Sequence, residues 1–293
     1  MNYSPTKFLT TRQLSRVWLV SEATIKRWAD TGQLKSSRTV GGHRRFPLAE
    51  VMRFQTERGL GATVGVATAA ALKTAAADTA AFDAGRAAEQ FFHAVSRGHA
   101  GEATALLLEA HMLGAELHLV FDEIVAPSLR RVGDLWYGER MSVAEEHLAT
   151  STATRAVESL AASTRRAGAK AGAAVCCAAE EEMHTLPLLC AQAVLEGAGW
   201  DVRNIGGHTP FFALAEYVEK QRPALVCVSA TLQRELEHNA RDYVQLTSAA
   251  RACKARVVLG GEGFRDRAVR ARFPADLHAE EFKDLSEFVG RLD

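Results

Sequence analysis

Ala173-Ala174-Val175-Cys176-Cys177-Ala178-Ala179-Glu180-Glu181-Glu182-Met183-His184-Thr185-Leu186-Pro187 is the stretch whose reading decides the fold. Its first seven residues are short, uncharged and apolar, as expected of a strand buried on both faces. Leu188 to Gly197 follows with helical spacing of apolar residues and a glycine stop. Glu182 and His184 therefore belong to a loop between the carboxyl end of a strand and the start of a helix, the crevice where open α/β sheets bind ligands. A neutral imidazole there can ligate a metal. Glu182, two residues earlier, can accept a hydrogen bond from the other ring nitrogen, orienting the ring and raising its basicity. An acid beside a histidine is also an ordinary surface pair, so the reading depends on what lies around it.

From Lys170 onward strand and helix patterns alternate. Strands are expected at Ala173–Ala179, Asp201–Ile205, Ala224–Ser229, Arg256–Leu259 and near Asp276–His278, with helices starting near Leu188, Pro210, Glu235, Gly263 and Phe282. Such alternation predicts a flavodoxin-like (Rossmann-type) parallel sheet with right-handed crossovers. Ser229-Ala230-Thr231 ends the third strand and Gly260-Gly261 the fourth, so both converge with His184 on one edge of the sheet. Gly206-Gly207-His208-Thr209-Pro210 ends the second, where His208 reads as a surface histidine or as a second histidine in the same pocket. The Gly-Gly-Glu-Gly at 260–263 lacks the Lys-Ser/Thr of a phosphate-binding loop, which argues against a nucleotide hydrolase.

This constellation resembles the base-off/His-on cobalamin-binding domain, whose pattern is Asp/Glu-x-His-x-x-Gly, then Ser-x-Leu, then Gly-Gly. Here 41 residues separate Pro187 from Ser229, and 28 separate Thr231 from Gly260. The resemblance implies that His184 is the lower cobalt ligand, supported by Glu182. It places Ser229 near the displaced nucleotide base, with Thr231 in the same cofactor-binding segment, and Gly260 and Gly261 where the nucleotide tail runs close to the backbone. Two positions depart from the pattern: Pro187 stands for the glycine and Thr231 for the leucine.

The chain has 293 residues, 47% hydrophobic and 24% charged, enough for two or three domains with proper cores. No run of 18 apolar residues exists and no basic-then-apolar leader opens the chain, so a cytoplasmic protein with no membrane partner is expected. Five cysteines, four of them set among apolar segments, fit a reducing compartment, and the adjacent Cys176 and Cys177 point to opposite faces of a strand as small core residues. A formal net charge of zero hides an asymmetry. Residues 1–58 hold eleven Lys/Arg against four Asp/Glu, a formal +7, so the other 235 residues sum to −7. A basic head on an acidic body points to a nucleic-acid partner.

In that head, Thr10 and Gln13 are spaced as a capping box before one short helix, and Ser21 caps a second helix that Gly32 stops. Ile25 and Trp28 fall inside, while Thr24, Lys26 and Arg27 face outward. Arg38 to Phe46 reads as a hairpin with a glycine turn, and a helix from Leu48 to Arg58 follows Pro47. The order helix-turn-helix, Gly32-Gln33-Leu34, then Gly-Gly-His-Arg-Arg-Phe resembles the MerR-type winged DNA-binding domain over about residues 7–57. That resemblance implies that the second helix (Thr24, Lys26, Arg27) enters the major groove of double-stranded operator DNA. The wing (Arg38, His43, Arg44, Arg45) would then grip phosphates.

Residues 59–80 read as an Ala/Thr/Gly linker, and 81–166 as four helices breaking near Gly98–Gly101, Pro127 and Gly138, with Gly114 internal. Phe91, Phe92, Leu106, Leu107, Leu117, Val120, Phe121, Ile124 and Leu129 are the expected bundle core. Ser142 and Glu145 form a capping box for the last helix, with Glu146 and His147 in its first turn. The spacing from Trp136 to Glu146-His147, with nine residues between, resembles the adenosylcobalamin-sensing repressors of the CarH/LitR group. In that group a helical cap lies over the upper face of the corrin. The resemblance implies that Trp136 packs on the adenosyl group while Glu146 and His147 help hold it. Where well-studied light-sensing members carry a histidine just after the Trp, this chain has Tyr137.

The whole reading is a winged head (1–58), a four-helix cap (81–166) and a cobalamin-binding α/β domain (167–293). What it implies is a non-enzymatic, homo-oligomeric (dimer or tetramer) repressor that senses adenosylcobalamin and responds to light. Two alternatives stay open at this point. One is the same architecture with a pocket for another tetrapyrrole or for no cofactor, signalled by a protein partner. The other is a corrinoid methyl-transfer subunit.

Overall fold

In the computed structural model the described residues are 8–18, 20–39, 42–58, 83–164, 171–232 and 240–292. The expected linker, the wing-turn residues Val40 and Gly41, and the helix start near Glu235 lie outside them. The chain divides into two compact units, Met1–Glu116 with Arg131–Thr164, and Leu117–Arg130 with Arg165–Asp293.

The first unit opens with β1 (Phe8–Thr10), α1 (Thr11–Trp18), α2 (Glu22–Asp30), β2 (Ser37–Arg38), β3 (Arg44–Pro47) and α3 (Leu48–Arg58). Ser21 caps α2 as expected: its Oγ accepts the Thr24 N–H at 3.1 Å, satisfying one of the helix's orphan donors. Thr10 immediately precedes α1 and pairs with Arg45 in an antiparallel sheet of order β1-β3-β2, a strand whose three residues are too few to read from periodicity. Leu14, Trp18, Ile25, Leu34, Phe46, Val51 and Phe54 form the head's core, with the Trp28 and Phe54 rings 5.0 Å apart. Burying each such side chain contributes roughly 1.5–3 kcal/mol, enough to order a small domain.

Behind the head come α4 (Ala84–Ser96), α5 (Ala100–Met112), α6 (Leu117–Val120), a π turn (Phe121–Val125), α7 (Ala126–Tyr137) and α8 (Val143–Thr164). In the first unit α4, α5 and α8 pack together through Phe91, Phe92, Leu106, Leu107, Ala149, Ala153, Ala156, Val157 and Leu160. One expected break and one glycine expected inside a helix exchange places. Gly114 is not internal: it adopts φ 102°, which a side chain would resist, and α5 ends before it. Pro127 breaks nothing. The wider π turn lies immediately before it, where a proline ring would otherwise press on the carbonyl four residues back, and Ser128 Oγ donates to the Ile124 carbonyl at 2.7 Å.

The second unit holds β4 (Ala173–Ala178), α9 (Leu186–Gly197), β5 (Asp201–Asn204), α10 (Phe211–Gln221), β6 (Leu225–Ser229), α11 (Ala240–Cys253), β7 (Arg256–Gly260), a 3₁₀ turn (Glu262–Phe264), α12 (Arg267–Arg272), β8 (Leu277–Ala279) and α13 (Phe282–Val289). All strand pairs are parallel and the order is β5-β4-β6-β7-β8, the flavodoxin-like order expected. Alternate residues of β4, β6 and β7 (Val175, Cys177, Val226, Val228, Val257, Leu259) meet α10 and α11 on one face. There Phe211, Tyr243 and Phe273 stack edge to face, and the Tyr243 hydroxyl donates to the Pro274 carbonyl at 2.7 Å. The five cysteine thiols are free, and burial pushes those of Cys177 and Cys190 well above the ordinary value, which makes both unreactive.

Phe121 corrects the expected bundle core. It packs edge to face on Phe282 at 5.6 Å, within the sheet unit. Beside it the Asp122 carboxylate accepts the N–H groups of Phe282 and Lys283 at 2.9 Å each, capping α13 from 160 residues away. Burial raises the pKa of Asp122, opposed by those two hydrogen bonds.

Candidate functional site

The sheet order reverses at β4, with β5 on one side and β6 on the other, so the loops after these strands part and leave the crevice of a switch point. The loop after β4 carries Glu182 and His184. Only 2% of the Glu182 side chain is exposed, against 55% for His184. Glu182 Oε1 accepts both the His184 backbone N–H at 2.7 Å and its ring Nδ1–H at 2.5 Å. The other carboxylate oxygen accepts the backbone N–H groups of Thr231 and Leu232 in the loop after β6. Burial alone would raise the pKa of Glu182. The hydrogen bonds from the His184 ring and from the Thr231 and His184 backbone outweigh it and hold the carboxyl at about 2. A carboxylate that accepts from Nδ1 fixes the proton there and leaves the ring's basic lone pair on Nε2.

The other predicted residues at this edge lie along the same end of the sheet. Ser229 ends β6 in register with Ala178 and Gly260, nearly buried, and its carbonyl accepts the Ala179 N–H at 2.9 Å. Thr231 meets Glu182 through its backbone N–H, so its role in the loop does not depend on a leucine side chain. Pro187 takes the second position of α9, where its missing N–H is one the first helical turn leaves unpaired anyway. The two glycines differ. A Cβ on Gly261 (φ 99°) would stand 2.3 Å from the Ala230 carbonyl oxygen, so the fold itself demands glycine there. At Gly260 a Cβ would make ordinary 3.6 Å contact with the Ala279 carbonyl, so its bareness is not required by the surrounding chain.

In the first unit Trp136 is the last residue but one of α7, with 48% of it exposed, and Tyr137, which ends the helix, is 87% exposed. Ser142 and Glu145 form the expected reciprocal cap of α8: the Glu145 carboxylate accepts the Ser142 N–H at 2.8 Å. Glu146 accepts from the Thr150 hydroxyl at 2.7 Å and lies 3.7 Å from His147 Nε2, whose side chain is exposed.

In the head, Glu22, Lys26 and Arg27 are exposed on α2, with Lys26 3.7 Å from Glu22, while Thr24 is half-buried against the Ser21 hydroxyl. Arg38 and His43 are exposed on the two arms of the hairpin, and Arg45 is half-buried. Arg44 differs from its neighbours. Its guanidinium is turned inward onto the Lys26 carbonyl at 3.2 Å and the Asp30 carboxylate, so it braces the wing on α2. Nothing in the sequence pattern separated Arg44 from Arg45. Nor did it signal that Glu182 reaches the β6 loop, a contact 49 residues away in sequence.

Residues 8–59 match a helix-turn-helix domain model, residues 87–161 a B12 binding domain model and residues 172–282 a second B12 binding domain model. The HTH-type transcriptional repressor CarA of Myxococcus xanthus is 28% identical over 267 residues, 88% of each chain. The repressor CarH of the same organism is 32% identical over 117 residues, 40% of this chain and 38% of that one. The fold also matches the Methanosarcina barkeri monomethylamine corrinoid protein, with a TM-score of 0.61 at 15% identity over 71% of this chain and 99% of that one. This likeness supports the fold alone. With a helix-turn-helix head, a helical B12-binding module and a parallel-sheet B12-binding domain in that order, the chain is similar over most of its length to the CarA repressor, and over a shorter stretch to CarH.

Proposed function

We propose that this regulator is a light-responsive repressor that senses adenosylcobalamin and acts on its operator as a homo-oligomer. The observation that carries the reading is the Glu182–His184 pair: a buried carboxylate holding one imidazole at the sheet's switch point. A single histidine suits a metal that brings its own ring of nitrogen donors, and the dispensable bareness of Gly260 suits a ligand tail lying against the backbone. Bound adenosylcobalamin would supply a cobalt open to an imidazole nitrogen and a light-sensitive cobalt–carbon bond. His184 would hold it through Nε2, with Glu182 fixing the tautomer and raising ring basicity. Ser229, Thr231, Gly260 and Gly261 line the path of the nucleotide side. Trp136, Glu146 and His147 are assigned to the adenosyl side. A phenol at 137 in place of an imidazole gives no support to a light state with two histidine ligands. Joining heads in one oligomer raises DNA affinity through effective concentration, and loosening it releases operator DNA.

Purification in the dark with adenosylcobalamin, followed by gel filtration and absorption spectra before and after green light, tests this directly. A corrin band that travels with the protein, shifts on illumination and changes the elution volume is expected, and His184→Ala should lose the imidazole-bound spectrum. Protein eluting with no corrin would sink the reading and turn attention to another pigment or a protein partner. Methyl transfer to a thiol acceptor would instead make the chain an enzyme subunit.

On DNA, Arg45→Ala is expected to flatten the slope of log affinity against log salt by about 0.9 for one lost phosphate contact, without changing the head's melting. Arg44→Ala should lower the melting of the head as well, because its guanidinium braces α2. Equal effects of the two variants on melting would contradict the inward placement of Arg44.

A further inference from the structure

Glu181 and His208 both adopt left-handed backbone, with φ 64° and 52°. Such backbone is uncommon in residues that carry a side chain. These two fix each other. His208 Nδ1 accepts the Glu181 N–H at 2.8 Å, and the His208 N–H donates to the Glu182 carbonyl at 3.2 Å. Around them the backbones of the two loops are laced together. Ala178 N–H reaches the Gly206 carbonyl at 2.9 Å, and Thr209 N–H reaches the Ala178 carbonyl at 3.1 Å. A Cβ on Gly207 would stand 2.9 Å from the Glu182 carbonyl oxygen, so the loops touch main chain to main chain at the residue that holds the imidazole.

The loop after β4 is thus held from both sides of the switch point. Glu182 ties it to the β6 loop through its carboxylate, and His208 ties it to the β5 loop through an imidazole. We propose that His208 is a positioning residue for the cobalt-ligating loop. By accepting the Glu181 N–H it keeps residue 181 in the left-handed turn that directs Glu182 at the His184 ring. The inference rests on the assignment of His184 as the lower ligand. It also fixes the His208 ring as the neutral tautomer with its proton on Nε2, since Nδ1 is the acceptor.

Two substitutions separate the acceptor from the backbone. His208→Gly adopts the left-handed turn freely but removes the acceptor, whereas His208→Asn tolerates the turn and offers Oδ1 near the place of Nδ1. The full-length protein, grown with ¹⁵N-labelled histidine, is loaded with cob(II)alamin; binding is titrated and the paramagnetic resonance spectrum is read for nitrogen splitting from a protein imidazole. Wild type and His208→Asn are expected to show the histidine splitting. His208→Gly should bind about tenfold more weakly and lose much of that splitting, with its melting temperature little changed. Equal affinity and splitting in His208→Gly and wild type would overturn the proposal. So would an Asn variant that folds yet fails like Gly. If the glycine variant does not fold, the asparagine variant decides: retained splitting supports the acceptor role and lost splitting refutes it. A wild-type complex without histidine splitting, or no complex at all, removes the His184 assignment itself and this proposal with it.

Discussion

Glu182→Gln is expected to destabilise the sheet unit by about 3 kcal/mol, and to abolish imidazole ligation along with it. The reason lies in the donors around the carboxylate. Each of its four hydrogen-bond partners is an N–H: the backbone and ring of His184, and the backbones of Thr231 and Leu232. An amide must turn its NH₂ toward one of those pairs, leaving buried donors facing a donor. The wild type's pH dependence gives an independent reading of the same energy. Glu182 titrates at about 2 in the fold against an ordinary 4.5. A depressed carboxylate stabilises above the unfolded value, so its contribution is complete above about pH 4.5 and is lost as pH falls toward 2, on the order of 3 kcal/mol in all. Urea midpoints of the cofactor-free chain from pH 6 down to 2.5 should therefore fall more steeply for wild type than for Glu182→Gln. Parallel curves would mean that the carboxylate is not held as described.

Gly261→Ala should cost at least as much, by a different route. Its Cβ would lie 2.3 Å from the Ala230 carbonyl oxygen, which also accepts the Gly263 N–H, and the residue sits at φ 99°. Neither backbone can yield without breaking the β6–β7 edge, so a loss of about 3 kcal/mol or more is expected. Two companion variants divide that figure. Gly199→Ala has a similar φ of 92° with open space around it, and should cost about 1 kcal/mol from backbone strain alone. Gly260→Ala meets only ordinary contacts and should melt like wild type while retaining less corrinoid. A stable Gly261→Ala chain would disprove the close approach; a Gly260→Ala chain that keeps its corrinoid would remove the nucleotide tail from that spot.

The sheet was legible because strands buried on both faces read as unbroken apolar runs, as in Ala173–Ala178 and Leu225–Ser229, separated by helical patterns. The Glu182–His184 pair was legible because two residues on one loop can be matched to a chemistry without knowing the fold. Less legible was anything set by tertiary contact. β1 has three residues and gains its identity from pairing with β3. Pro127 looks like a break until a π turn absorbs it, and no local signal announces that turn. Arg44 and Arg45 are chemically identical, and only the fold tells which one faces α2. The left-handed turns at Glu181 and His208 were hidden for the same reason, since the contact that pairs them joins two loops 27 residues apart.

Asp122 and Phe121 wait for residues made 160 positions later. During synthesis, therefore, the segment Leu117–Arg130 emerges with an unmatched aromatic ring and carboxylate long before α13 exists to receive them. A contact so distant in sequence makes closure of the sheet unit a late and slow event, guarded in the meantime by whatever else covers Phe121. It also means that a fragment cut between the helices and the sheet would strand the cap of α13 on the discarded piece. The seam that looks natural in the sequence is, for folding, the wrong place to divide the molecule.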